Sequence, residues 1–160
     1  MKGIKEFSTI FWTMVDQYNN TSDPLVRDII DQSLVQTTKR WTNQPPSMIS
    51  VRAKELAELH KLNLWDMQWK HRNKAGKDSK GRSLLLWEHV QPNTDWVRNH
   101  LLKCKSYAEV LNLMNKYPGV CWIHREEDDL LTSNGYQRKR PNGWQSCYSD
   151  VGIQIIYSNK

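Results

Sequence analysis

Apolar residues in the first part of the chain recur every three or four positions, as they do along the buried face of an α-helix. Asp23-Pro24 is typical of a helix start, because a capping carboxylate precedes a proline at the first helical position. The predicted helix has one apolar face, formed by Leu25, Ile29, Ile30, Leu34 and Val35. A second helix is predicted from about Ser50, and Asn63 could end it.

Farther along the chain, short apolar runs alternate with helical patterns. Three runs are typical of strands: 83–90, 120–123 and 151–157. One helix is predicted after Asn93, a second after the capping box Ser106–Glu109, and a third from His124 with acidic residues in its first turn. This order predicts an α+β fold, in which N-terminal helices are followed by a small sheet with interleaved helices.

The length of 160 residues fits a single domain. Within it the sequence predicts a helical N-terminal part (1–68), a basic loop (69–82) and an α+β part (83–160) that carries the candidate site. Hydrophobic residues make up 38% of the chain and eight are tryptophan, which excludes a disordered protein and indicates a largely aromatic core.

Basic residues exceed acidic ones by 23 to 17, a formal net charge of +6 that favours an anionic partner. Most of the excess lies in two segments with Gly or Pro and little apolar content, which are predicted to be exposed loops. Nucleic acid is the expected partner, and its phosphates would contact Lys70, His71, Arg72, Lys74, Lys77, Lys80, Arg82, Arg138, Lys139 and Arg140.

Three widely spaced cysteines, Cys104, Cys121 and Cys147, support neither a zinc ribbon nor a disulfide framework. Free thiols suit a reducing compartment. The first residues lack the apolar run of a signal peptide, and no stretch reaches the length of a membrane span. We therefore expect a cytoplasmic protein with no membrane partner.

The run from Leu84 to Pro92 ends on an adjacent carboxylate and imidazole, Glu88 and His89. A carboxylate is a natural ligand for a hard divalent cation, and histidine accepts protons near neutral pH. Neighbouring side chains of a regular strand point to opposite faces, so a shared site requires the strand to end here. The turn imposed by Pro92 could allow both side chains to approach one ion.

The string from three apolar residues through Trp87, Glu88 and His89 to Pro92 resembles the first strand of HNH, or ββα-metal, nucleases. The resemblance implies that His89 is the general base and Glu88 a metal ligand. It also implies that strand 120–123 and the helix after it carry the distal ligand, Glu127 or Asp128, where the family usually has Asn or His. The implied cofactor is Mg²⁺ or Mn²⁺, and the implied activity is hydrolysis of phosphodiesters.

The leading hypothesis is thus a metal-dependent endonuclease or a nuclease-derived protein that processes nucleic acid. The alternative is a non-catalytic module that binds nucleic acid or protein through exposed tryptophans such as Trp41, Trp69 or Trp144. Structural roles are open as well: Glu88 could pair with an arginine, and His124 could cap its helix. A protein partner, or a homodimer formed through the N-terminal helices, is neither supported nor excluded.

Overall fold

The computed structural model describes residues 3–158. They form two compact units, the first from residues 3–42 and 93–117 and the second from 43–92 and 118–158. The boundaries predicted at 68 and 82 both fall inside the second unit. The reason is that the helices after residue 92 pack with the N-terminal helices, a long-range contact that no local pattern reveals.

The elements follow one another from an all-helical start to an alternation of strands and helices. The helices are α1 (Ile4–Asn20), α2 (Pro24–Thr42), α3 (Val51–Leu59), α4 (Asn93–Asn99), α5 (Tyr107–Asn115), α6 (Arg125–Ser133) and α7 (Gly143–Asp150). The strands are β1 (Met48–Ser50), β2 (Leu85–His89), β3 (Val120–His124) and β4 (Ile155–Tyr157). Short 3₁₀ helices span Leu64–Asp66, Trp69–Ala75 and Leu101–Lys103. The α+β class is confirmed.

Predicted helix starts coincide with side chains that accept hydrogen bonds from otherwise unpaired backbone N–H groups. The Asp23 carboxylate accepts a bond of 2.8 Å at the start of α2, and Ser50 Oγ accepts one of 3.1 Å at the start of α3. Ser106 Oγ accepts a bond of 3.2 Å from the backbone N–H of Glu109. The Glu109 carboxylate accepts from the backbone N–H of Lys105, one residue before the position that the capping box predicts.

The first unit is built around an aromatic cluster. Phe11, Trp41, Trp96 and Tyr117 are buried, with ring centroids 5.1–6.1 Å apart between neighbours. Edge and offset contacts at this spacing stabilise a core beyond the area that they bury. The complete burial of Trp41 means that its predicted role as an exposed binding anchor is wrong.

The buried face of α2 is shorter along the helix than its apolar pattern predicted. Ile30 and Leu34 are buried, whereas Leu25 and Ile29 are 67% and 55% exposed. The pattern was correct from Ile30 onward and wrong for the apolar residues before it. None of the helices within residues 3–158 is long and apolar enough to cross a membrane.

The second unit contains a four-stranded mixed sheet in the order β2-β3-β1-β4. β2 and β3 pair antiparallel, β1 runs parallel to β3, and β4 closes the other edge antiparallel to β1. The predicted strands β2 and β3 are confirmed. The last strand begins at Ile155 rather than Val151, and the pattern did not reveal β1 or α7. A three-residue strand is too short to show periodicity, and Pro141-Asn142-Gly143 predicted only a turn.

Candidate functional site

The strand β2 is regular up to its last residue, and this regularity separates the two residues that were predicted to share a site. Its register with β3 runs without a bulge from Leu85 opposite His124 to His89 opposite Val120. Successive side chains therefore alternate between the two faces of the sheet. Glu88 and His89 point to opposite faces, and the turn at Pro92 comes too late to bring them together.

Glu88 is paired with Arg140. Arg140 Nη2 donates to Glu88 Oε1 at 2.5 Å, and Arg140 Nε donates to the carbonyl oxygen of Val90 at 3.2 Å. The arginine side chain has no exposed surface, and that of Glu88 is 19% exposed. Arg140 was predicted to contact phosphate, and that prediction is wrong because its charge is buried against the end of β2.

The electrostatics of Glu88 reflect this burial. Loss of solvent raises the pKa of Glu88 to about 7, although the Arg140 charge opposes the rise and the nearby Asp128 carboxylate adds to it. Asp128 therefore lies close enough to Glu88 for their charges to repel. It has its own partner, since Arg125 Nη1 donates to Asp128 Oδ2 at 3.0 Å.

Glu127 is a structural residue of the α6 start. It is 2% exposed, and its Oε2 accepts hydrogen bonds from Ser50 Oγ at 2.5 Å and from the backbone N–H of His124 at 2.7 Å. His124 Nδ1 in turn accepts from the backbone N–H of Glu126 at 3.2 Å. The capping role foreseen for His124 is confirmed, and Glu127 is the second half of that capping box.

The predicted donors do not fit a divalent cation. Direct oxygen ligation of such an ion requires carboxylates that converge within roughly 2.0–2.6 Å of it. Here Glu88 pairs with Arg140, Asp128 with Arg125, and Glu127 is hydrogen-bonded at the start of its helix. Within residues 3–158, no group of three or more His, Cys, Asp or Glu side chains is placed to hold a metal ion.

His89 is only partly accessible, and its Nε2 atom is shielded from solvent. It lies on the face of β2 that carries Leu85 and Trp87, which pack into an apolar cluster with Trp122. A general base must reach the water that it activates. In this arrangement Nε2 has no direct access to bulk water.

The predicted basic loop is an ordered structure, which we call the basic segment (Lys70–Arg82). It begins within the 3₁₀ helix Trp69–Ala75, whose last residue, Ala75, is fully buried. Lys77 then pairs with Ser83 through an isolated antiparallel bridge. The prediction of an exposed loop over 69–82 was wrong for Trp69–Ala75, because a short 3₁₀ helix with one buried alanine leaves no apolar periodicity.

Arg82 and His71 hold the basic segment together rather than facing a phosphate. Arg82 donates to Asp78 at 2.7 Å and forms two bonds of 2.9 Å with Asp129, so its charge is matched by two carboxylates. His71 Nδ1 accepts from the backbone N–H of Gln68 at 3.1 Å. The predicted role of these two residues in binding is therefore not supported by their contacts.

Desolvation and the charges of two neighbouring lysines all disfavour the charged form of His71 and lower its pKa. Loss of solvent lowers the pKa of His71 below 6.5, and Lys74 and Lys70 lower it further. An uncharged imidazole attracts a phosphate only weakly. Since Arg82 is paired with two carboxylates, the remaining positive charge of the basic segment resides on its lysines and on Arg72.

The remaining cations of the basic segment follow an exposed aromatic side chain closely in the sequence. Within the described part of the chain, the exposed residues Lys70, Lys74, Lys77 and Lys80 form no ion pair. All eight tryptophans belong to that part, and only Trp69 is exposed, by 49%. Of the three predicted tryptophan anchors, Trp69 alone has the required exposure, since Trp144 is half-buried against Tyr148.

Arg72 lies over the indole ring of Trp69. Its guanidinium carbon is 3.9 Å from the ring centroid, well within the range of a cation–π contact. Each of the two residues was predicted to bind a ligand, but their contact with each other was not predicted. The signal was their spacing of three positions, which places two residues on one side of a 3₁₀ helix. Arg138 and Lys139 are exposed elsewhere in the same unit.

Comparison of the chain with protein-family models, with curated proteins and with solved structures finds no match. The HNH-like assignment therefore stays a prediction that rests on the string ending at Pro92.

We predict that Arg140→Ala destabilises the protein by about 3–5 kcal/mol, because it leaves Glu88 without its cationic partner in a buried position. Arg138→Ala is the matched control, since Arg138 is exposed two residues away, and it should change the free energy of unfolding by less than about 0.5 kcal/mol. Urea denaturation of both variants measures the difference. Equal stabilities would contradict the structural role of Arg140.

A second prediction concerns pH. Because the pKa of Glu88 rises from its ordinary 4.5 to about 7 on folding, the native state keeps a proton that the unfolded chain loses between these values. The stability that Glu88 contributes is therefore fully present below pH 4.5 and is lost as pH rises from 4.5 towards 7. Above pH 7 no further change follows, and the free energy of unfolding changes by up to about 3 kcal/mol in all.

The decline in the free energy of unfolding with rising pH should be shallower in Glu88→Gln. It should be unchanged in the control Glu55→Gln, which alters an exposed carboxylate of α3. Chemical denaturation from pH 4 to 8 provides the measurement. Parallel stability curves for wild type and Glu88→Gln would refute the assignment of this titration to Glu88.

Proposed function

We propose that this protein is a non-catalytic nucleic-acid-binding module whose basic segment binds the phosphate backbone of the nucleic acid. The observation that carries the proposal is that one short stretch of chain contains the Trp69–Arg72 stack and four exposed lysines that form no ion pair with any described residue: Lys70, Lys74, Lys77 and Lys80. Cations that no carboxylate neutralises are free to replace the counterions of a polyanion. Release of those counterions is the main source of sequence-independent affinity for nucleic acid.

The internal contacts of the basic segment support the proposal. Asp78 and Asp129 neutralise Arg82, which leaves the lysines at the surface while the backbone is held in place. Asp78 Oδ1 also accepts from the backbone N–H groups of Lys80 and Arg82 at 2.9 and 2.8 Å. An ordered cationic surface loses less conformational entropy on binding than a flexible loop does.

A nucleic acid is preferred to a protein partner because the surface is cationic rather than apolar. Protein interfaces are depleted in lysine at their centres and enriched in aromatic and apolar side chains. Here one exposed tryptophan is followed within eleven positions by four exposed lysines. The proposal includes a cytoplasmic location, which is supported by the absence of a disulfide among Cys104, Cys121 and Cys147.

The double variant Lys70→Ala/Lys74→Ala should bind nucleic acid more weakly and with a smaller dependence on salt. If each lysine contacts one phosphate of a single strand, the slope of log K against log salt should fall by about 0.7 per lysine. Fluorescence anisotropy with labelled oligonucleotides over a series of salt concentrations measures both quantities.

Lys39→Ala/Lys116→Ala removes the same charge from exposed positions of the first unit and serves as control. Its slope should equal that of wild type. Wild-type protein that binds no oligonucleotide at low salt overturns the proposal. So does a control variant that loses as much slope as Lys70→Ala/Lys74→Ala.

The metal-dependent nuclease stays a prediction with a separate test. It requires that His89→Ala abolish cleavage in Mg²⁺ or Mn²⁺ while binding of the same oligonucleotide persists. His100→Ala, at an exposed histidine of the first unit, is the control. Cleavage assays of the three proteins on single- and double-stranded substrates decide it, and unchanged cleavage by His89→Ala would contradict the assignment.

A further inference from the structure

We propose that the Trp69–Arg72 pair is a stacking platform for an unpaired base, and that the ligand of the basic segment is single-stranded nucleic acid. This inference rests on the proposed function, because it specifies which nucleic acid the same surface accepts. Its basis is one juxtaposition: an exposed tryptophan and the guanidinium stacked on it belong to the same short stretch of chain as four exposed lysines, none of which forms an ion pair within residues 3–158.

The tryptophan content of the chain makes the exposure of Trp69 informative. The other seven indoles are buried or half-buried, which is where the free energy of apolar burial places such a side chain. Trp69 is 49% exposed and belongs to none of the apolar clusters. Its indole therefore contributes little to the core, and the part of its aromatic surface that Arg72 leaves exposed is available to a ligand.

Arg72 completes the platform. Its guanidinium lies 3.9 Å from the centroid of the Trp69 ring, and Arg72 Nη1 donates to the carbonyl oxygen of Trp69 at 3.4 Å. This contact limits the orientations open to the indole before any ligand arrives. A base that stacks on the ring gains a π contact with a side chain whose conformational freedom is already reduced.

Buried residues hold the platform at both ends. Leu64 and Met67 precede Trp69 and pack into the same apolar cluster as Ala75, the last residue of the 3₁₀ helix. Leu84 donates its backbone N–H to the carbonyl oxygen of Gly76 at 3.2 Å, which ties the end of this helix to the residue before β2. The indole thus stands on an anchored stretch of backbone.

The geometry favours unpaired over paired bases. In a duplex the faces of the bases are covered by their neighbours, so a surface tryptophan can stack only on a base that is first unstacked, at a cost of a few kcal/mol. In a single strand the same face is available without that cost. The lysines attract either form, whereas the indole discriminates between them.

The test compares wild type, Trp69→Ala and Trp69→Phe on an unstructured oligothymidylate and on a duplex of the same length. Trp69→Ala should weaken single-strand binding by roughly 5- to 150-fold, the range observed for the loss of one stacked base, and Trp69→Phe by less. Duplex affinity should be unchanged. The salt slope of Trp69→Ala should equal that of wild type, because stacking releases no counterions.

Tryptophan fluorescence gives an independent readout. Oligothymidylate should quench the emission of wild type and of the control Trp12→Phe, which removes a half-buried indole of the first unit. It should not quench Trp69→Phe. Wild-type affinity and quenching in the Trp69 variants would overturn the stacking platform while the lysine-dependent binding stands. Failure of wild type to bind either nucleic acid overturns the proposed function as well.

Discussion

The uninterrupted pairing of β2 with β3 determines what the second unit can do. Because the register holds as far as His89, each side chain of β2 is assigned to one face of the sheet. Glu88 lies on the face that Arg140 covers, and His89 on the face that carries Trp87. A single bulge would have changed this assignment by one position and brought the carboxylate and the imidazole closer to a common site.

The charges of the second unit divide accordingly into two classes. Glu88, Arg140, Asp128 and Arg125 are buried or half-buried and are paired, since an isolated charge in such a position is costly. The lysines of the basic segment are exposed and form no ion pair within the described part of the chain. The first class explains stability and its dependence on pH. The second class is available to a ligand, which is why the proposed function rests on it.

Sequence patterns were most informative where a local rule decides the structure. The helix starts at Asp23, Ser50 and Ser106 were predicted correctly because a capping side chain acts within three residues of itself. The paired strands β2 and β3 were also predicted, as each begins with a continuous apolar run. The partner of a charge could not be predicted: Arg140 lies 52 positions from Glu88, and nothing in Arg138-Lys139-Arg140 indicates which of the three turns inward.

The distinction between local and long-range determinants applies to the tryptophans as well. It affects how the chain could bind a single strand of nucleic acid. An indole's pattern of neighbours does not reveal its exposure, since Trp41 and Trp69 both follow basic or polar residues and only the second reaches the surface. What separates them is tertiary: the Trp41 ring is enclosed by Phe11 and Trp96, whereas the Trp69 ring meets Arg72. An aromatic side chain that lies outside a core holding so many others requires a reason, and lysines that pair with no carboxylate among residues 3–158 supply one. Stacking would recognise the base while the lysines hold the backbone, so neither contact would need to be strong alone.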